Sequence, residues 1–202
     1  MSNRTLIYVV IVWCLFKVIE YYFIPYFIVT FLWLGLSLAL LIVIIVLLIK
    51  VARERKSLTK LRIAKVLTFL TLFYLTYNHF VVSGLIEKVD WKIFYSKRMK
   101  IVEQVKRKEL KPNVSWNNVV CELPFEFPVV SNGGNDIMIF RNKDNGTVTV
   151  SFWIYRNFFN APSTGFVYTN DIEQIKELES QINHDPKNNW KINNNWYRTS
   201  GE

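Results

Sequence analysis

The chain has 202 residues, of which 51% are hydrophobic, 16% aromatic and 20% charged, with a net charge of +9 at neutral pH. That composition excludes a disordered chain and a collagen-like repeat, and two cysteines are too few for a disulfide scaffold. Residues 1–90 hold 10 Lys/Arg and 4 Asp/Glu, nearly all outside long apolar runs, whereas residues 91–202 hold 15 and 12, which points to a membrane half followed by a small water-soluble domain and excludes a soluble enzyme.

Leu6 to Phe16 is an apolar run that resumes beyond Lys17 and continues to Pro25, where the chain turns. Arg4 before such a run has the layout of a signal peptide, but Lys17 to Tyr26 is bulky and offers no small-residue cleavage site, so an uncleaved anchor is expected. From Phe27 to Ile49 there are 23 residues without a charge, enough helix for roughly 34 Å at 1.5 Å per residue. A third apolar run, 64–86, carries Thr68, Thr71, Thr76, Asn78 and His79 as its polar content. Three transmembrane helices are expected, at 5–24, 27–49 and 64–86, in a transmembrane region covering 1–90.

The connection 50–65 carries seven basic residues against the single Glu54, which assigns it to the cytoplasmic side. Three spans then place the N-terminus in the cytoplasm and the C-terminal domain outside it, in a multi-pass protein of a bacterial inner (cytoplasmic) membrane. The second basic stretch, 91–111, opposes that orientation. Within the spans, Lys17 and Glu20 lie three residues apart on one helical face, and the orientation puts His79 at a depth similar to Glu20. The three form a candidate intramembrane polar cluster. The plainer account has Lys17 snorkelling, Glu20 near the headgroups, and His79 in an interhelical hydrogen bond.

Apolar positions recur at helical spacing from Trp91 to Leu110, with basic residues between them, so a juxtamembrane amphipathic helix is expected over 91–111. Lys97, Arg98, Lys100, Lys106, Arg107 and Lys108 are its candidate membrane-surface cations; a charged solvent face on a docking helix is the competing account. Pro112 and Asn113 end it.

The remainder, 112–202, reads as an α+β domain built on an antiparallel β-meander. Strands are expected at Val119–Leu123, Asp136–Arg141, Thr147–Tyr155, Gly165–Tyr168 and within Trp190–Thr199. The Asn142–Gly146 turn makes the second and third a hairpin. Asp171 caps an expected helix, Ile172 to Ile182.

Chemistry-bearing residues are sparse. Two cysteines and two histidines far apart in the chain offer no metal-ligand spacing, and no cofactor is expected. Cys121 lies among apolar residues, His184 sits in a polar loop, and the Ser131-Asn-Gly-Gly stretch matches no phosphate-binding pattern and reads as a surface turn. The Arg156–Pro162 loop sets Phe158 beside Phe159 where no strand period can bury both. Arg156, Phe158 and Phe159 are therefore the candidate partner-binding residues.

These features point to a non-enzymatic membrane protein whose extracytoplasmic domain binds a protein partner, as in toxin immunity or envelope assembly. The alternative is a membrane-permeabilising effector, in which the soluble domain senses a ligand and the helices oligomerise. Membrane lipid, a protein partner and further copies of the chain are the expected contacts. Nucleic acid is not, because residues 112–202 carry 7 basic and 10 acidic groups.

Overall fold

The computed structural model describes residues 3–23, 27–53, 59–156 and 163–201. These divide into two compact units, Met1–Lys88 and Val89–Glu202.

In the first unit, α1 (Asn3–Phe23), α2 (Phe27–Arg53) and α3 (Lys60–Tyr77) are followed by the start of α4 (His79–Lys106). Trp13, Leu40, Ile44, Phe69 and Leu72 form its buried core. Large apolar side chains such as Val12, Leu15, Phe31, Leu34, Leu38 and Leu67 are exposed around it, the distribution of a body whose solvent is lipid. By length and composition Arg4–Phe23 and Phe27–Arg53 can each cross a membrane. The pair α3 and α4, bent by more than 40° at its break, raises the total to three if it forms one broken span.

That break corrects the expected layout. The third run is not one helix over 64–86: α3 stops at Tyr77 and α4 restarts at His79, with Asn78 at φ −84° and ψ 59°. No proline or glycine stands there, and the cause is side chains entering the helical ladder. Asn78 Nδ2 donates to Tyr74 O at 3.3 Å, and donors from α1 and α2 reach Thr76 O. Conversely, α4 continues without interruption through 86–91, so the juxtamembrane helix is not a separate element. It ends at Lys106 rather than near Pro112. Lys108 adopts φ 63°, while Lys108 N–H bonds Val105 O at 2.9 Å and Glu109 N–H bonds Gln104 O at 2.9 Å. That is a Schellman stop made without glycine.

The second unit is a six-stranded antiparallel sheet of order β1-β2-β3-β4-β6-β5. The strands are β1 (Val120–Glu122), β2 (Asp136–Arg141), β3 (Val148–Tyr155), β4 (Thr164–Thr169), β5 (Trp190–Asn193) and β6 (Trp196–Ser200), with α5 (Ile172–His184) between β4 and β5. The final aromatic segment is thus two strands, because an Asn-rich turn folds it into a hairpin pairing Lys191 with Tyr197.

Register sorts the side chains into two faces. Ile137, Phe152 and Phe166 align on one, with Tyr168 beside Trp196. The domain part of α4 covers this face, where the Trp91 ring lies 4.7 Å from Phe166 and 5.1 Å from Trp196. Gly165 permits the tight pairing beneath, since a Cβ there would stand 2.9 Å from Phe152 O. The opposite face presents Met138, Ser151, Val167 and Tyr197 in a row. α5 covers only part of it, through Leu178 and Ile182 against Val167 and Tyr197. Met138, Ser151 and Trp153 stay half-buried and Phe140 exposed.

Candidate functional site

A polar node lies inside the helical unit. Trp13, Lys17 and Glu20 recur at helical spacing on α1, which presents all three on one side. Lys17 Nζ donates to Glu20 Oε2 at 2.6 Å, and both side chains are buried. The third partner is Thr76, in the last turn of α3, where carbonyls lack intrahelical donors. Its carbonyl accepts from Lys17 Nζ and from Trp33 Nε1, each at 3.4 Å. Its hydroxyl accepts from Trp13 Nε1 at 2.8 Å and donates to Leu72 O at 2.7 Å.

The node therefore caps the C-terminal end of α3 from two neighbouring helices, and the Lys17 ammonium sits where the helix dipole favours a cation. Of the expected Lys17, Glu20 and His79 cluster, the first two are brought together; the His79 side chain lies outside the described residues. Sequence reasoning missed Trp13, Trp33 and Thr76. The available signal was an indole N–H in an apolar helix, which needs an acceptor when buried.

Of the six candidate membrane-surface cations of the second stretch, Arg98 does not face a membrane surface. It is 1% exposed and pairs with Asp90, itself 2% exposed, at 2.6 Å. Arg98 Nε donates to Val130 O at 2.9 Å, and the guanidinium lies 4.8 Å from the Phe166 ring centre. A charged stripe on a helical wheel reads as solvated; one arginine in it serves as a core clamp because Asp90 and the Val130 carbonyl satisfy it. Lys97 is half-buried over the Phe125 ring at 3.9 Å. For Lys106, burial works against the charge, but hydrogen bonds to Glu103 and Tyr168 outweigh it and hold the amine above 10.5. Lys100, Arg107 and Lys108 are exposed.

The Ser131–Asn135 stretch is knitted into the domain rather than being a surface turn. Asn135, at φ 60°, accepts from Val130 N–H at 2.7 Å and Ser131 N–H at 3.2 Å. Its amide donates to the carbonyls of Phe125, Glu126 and Pro128. Asn132 bonds Trp153 O and Ile154 O, where β3 shifts register. Cys121 is fully buried, and burial with the nearby Asp136 and Glu122 carboxylates pushes its thiol up, the opposite of nucleophile activation.

A shallow groove between the β2–β3 hairpin and α5 is lined by Phe140, Asn142, Thr147, Asp171, Glu173 and Glu177. Asp171 organises it. One carboxylate oxygen caps α5 by accepting from Glu173 N–H at 2.9 Å and Gln174 N–H at 3.3 Å. The other accepts from Thr147 Oγ1 at 2.5 Å and Asn142 Nδ2 at 2.9 Å. The Thr147 hydroxyl, then the Asn142 amide, lower its pKa from 3.8 to about 2. A depressed carboxylate stabilises the fold above its unfolded pKa and loses that contribution as pH falls through the folded value. Acid titration of unfolding should show a stability loss between pH 3.8 and about 2 that is absent in Asp171→Asn; an unchanged profile would exclude Asp171 as its source.

Arg156 is held at the end of β3, 2.5 Å from Asp136 Oδ2, with its guanidinium 5.8 Å from the Trp153 ring centre. Phe158 and Phe159 lie outside the described residues. Among the described residues no three His, Cys, Asp or Glu side chains gather as metal ligands. Comparison with protein-family models, curated proteins and solved structures finds no match.

Proposed function

We propose that the chain is a non-enzymatic, membrane-anchored protein whose C-terminal domain captures a protein partner at the membrane surface. The observation that carries this reading is the half-covered sheet face. Met138, Phe140 and Trp153 remain partly exposed there, Arg156 packs on Trp153, and Phe158 and Phe159 follow within three residues in the sequence. Apolar and aromatic surface next to a fixed arginine has the composition of a binding hot spot. In this reading the domain stands outside the cytoplasm and serves toxin immunity or envelope assembly. A photo-crosslinking residue at Phe140 in intact cells should give one discrete adduct, abolished by Phe158→Ser with Phe159→Ser while the domain stays folded. Adduct formation unaffected by the double substitution overturns this assignment.

The buried Lys17–Glu20 pair supports a second reading, a permeabilising effector whose helices oligomerise. Overexpression separates the two: an effector depolarises the cell, and a binding protein leaves the membrane potential unchanged.

A further inference from the structure

The first half of α4 is polar on the wrong side for a helix in water. Val81, Leu85, Val89 and Ile93 are 54%, 61%, 56% and 63% exposed, whereas Glu87 and Asp90 are 8% and 2% exposed. Residues four apart on a continuous helix lie on one side, so these apolar positions form a single outward stripe. Exposed Lys88 and Lys92 stand along its margin, and the stripe gives way to exposed Ser96 and Lys100.

Its level in the first unit follows from the polar node. Lys17 is six residues from the end of α1 and Trp33 six from the start of α2, which puts Thr76 about 9 Å along the helix axes from the end at which those two helices are joined. α4 therefore begins close to a membrane boundary, directly after the break at Asn78.

We propose that residues 80–93 form an interfacial helix, with Val81, Leu85, Val89 and Ile93 resting at the boundary between lipid headgroups and acyl chains and Lys88 and Lys92 extended to the phosphates. A helix with one apolar and one charged side is held there by buried apolar area and by attraction to anionic lipid. Lysines at the stripe margin suit this position because their stems cover apolar surface while the ammonium reaches outward. The inference rests on the membrane reading of the helical unit and on no particular partner for the domain.

The test uses the full chain in liposomes of mixed phosphatidylcholine and phosphatidylglycerol. Single cysteines replace Leu85, Val89, Ile93, Ser96 or Lys100 in a Cys14→Ser, Cys121→Ala background, and each carries a nitroxide. Collision rates with oxygen and with a water-soluble nickel chelate are compared. The oxygen-to-nickel ratio should be several-fold higher at Leu85, Val89 and Ile93 than at Ser96 and Lys100, and Val89→Glu with Ile93→Glu should lower it at Leu85. Equal ratios at all five positions overturn the proposal. So does protection from both reagents with spin–spin broadening that grows with protein density, because a second copy would then cover the stripe. A nitroxide at Leu41 of α2 is the control: lipid exposure there with none at Val89 and Ile93 defeats this proposal alone, and none at Leu41 defeats the membrane reading itself.

Discussion

Arg98→Met should destabilise the C-terminal domain by about 3–5 kcal/mol, the cost of leaving a buried charge without its partner. Stability of ordinary domains is about 5–15 kcal/mol, so the loss would be a large share of the whole. Asp90 is 2% exposed and has no access to bulk water to replace the guanidinium. Arg98 also supplies the bond to Val130 O, which fixes the loop leading into Ser131 and Asn135. Asp90→Leu combined with Arg98→Met removes both charges and should recover part of the loss, leaving the unsatisfied Val130 carbonyl as the remaining deficit. Urea unfolding of the full chain in detergent, followed by tryptophan fluorescence, measures all three proteins. Equal midpoints for the single and double variants would show that the ion pair is not what holds this helix to the sheet.

Lys17→Met should have the second-largest effect, on the helical unit. It strands Glu20, 7% exposed, and removes a donor from Thr76 O. Breaking a buried pair one-sidedly costs about 3–5 kcal/mol in water-soluble proteins, while single interhelical hydrogen bonds in membranes contribute about 0.6–2 kcal/mol. Lys17→Met with Glu20→Leu should therefore regain most of the loss, and Trp33→Phe should cost only the smaller amount. Resistance to dodecyl sulfate unfolding in mixed micelles, read by helical circular dichroism, ranks the variants. A Lys17→Met protein as resistant as the parent would end the view that this side chain caps α3.

Much of this architecture is legible from periodicity and turn chemistry. Apolar runs marked α1 and α2, the Asn-Gly turn marked the β2–β3 hairpin, and Asp171 marked the start of α5, because each signal is local. The misread places depend on contacts distant in sequence. Asn78 supplies one local bond at the break, to Tyr74 O, but an asparagine alone does not mark a helix end; the other donors are Lys17 and Trp33, 59 and 43 residues away from Thr76. Arg98 looked like one of several surface cations because the Val130 carbonyl and the Phe166 ring that enclose it lie 32 and 68 residues away. The candidate site was legible only in part: the Lys17–Glu20 pair follows from spacing along one helix, whereas the exposed Phe140 and half-buried Trp153 follow from how little of the sheet α5 covers.

That same incomplete agreement between composition and packing affects how the chain can be divided. By sequence pattern the α+β domain begins near 112, after the basic stretch. By packing it begins at Val89, because Trp91, Tyr95, Arg98 and Val102 of α4 roof the face that holds Phe152, Phe166 and Trp196. A fragment cut at 112 would expose that aromatic face to water as a flat apolar sheet surface, the kind of surface that drives precipitation. In this protein the helix that follows the apolar half is also what covers the aromatic face of the C-terminal sheet.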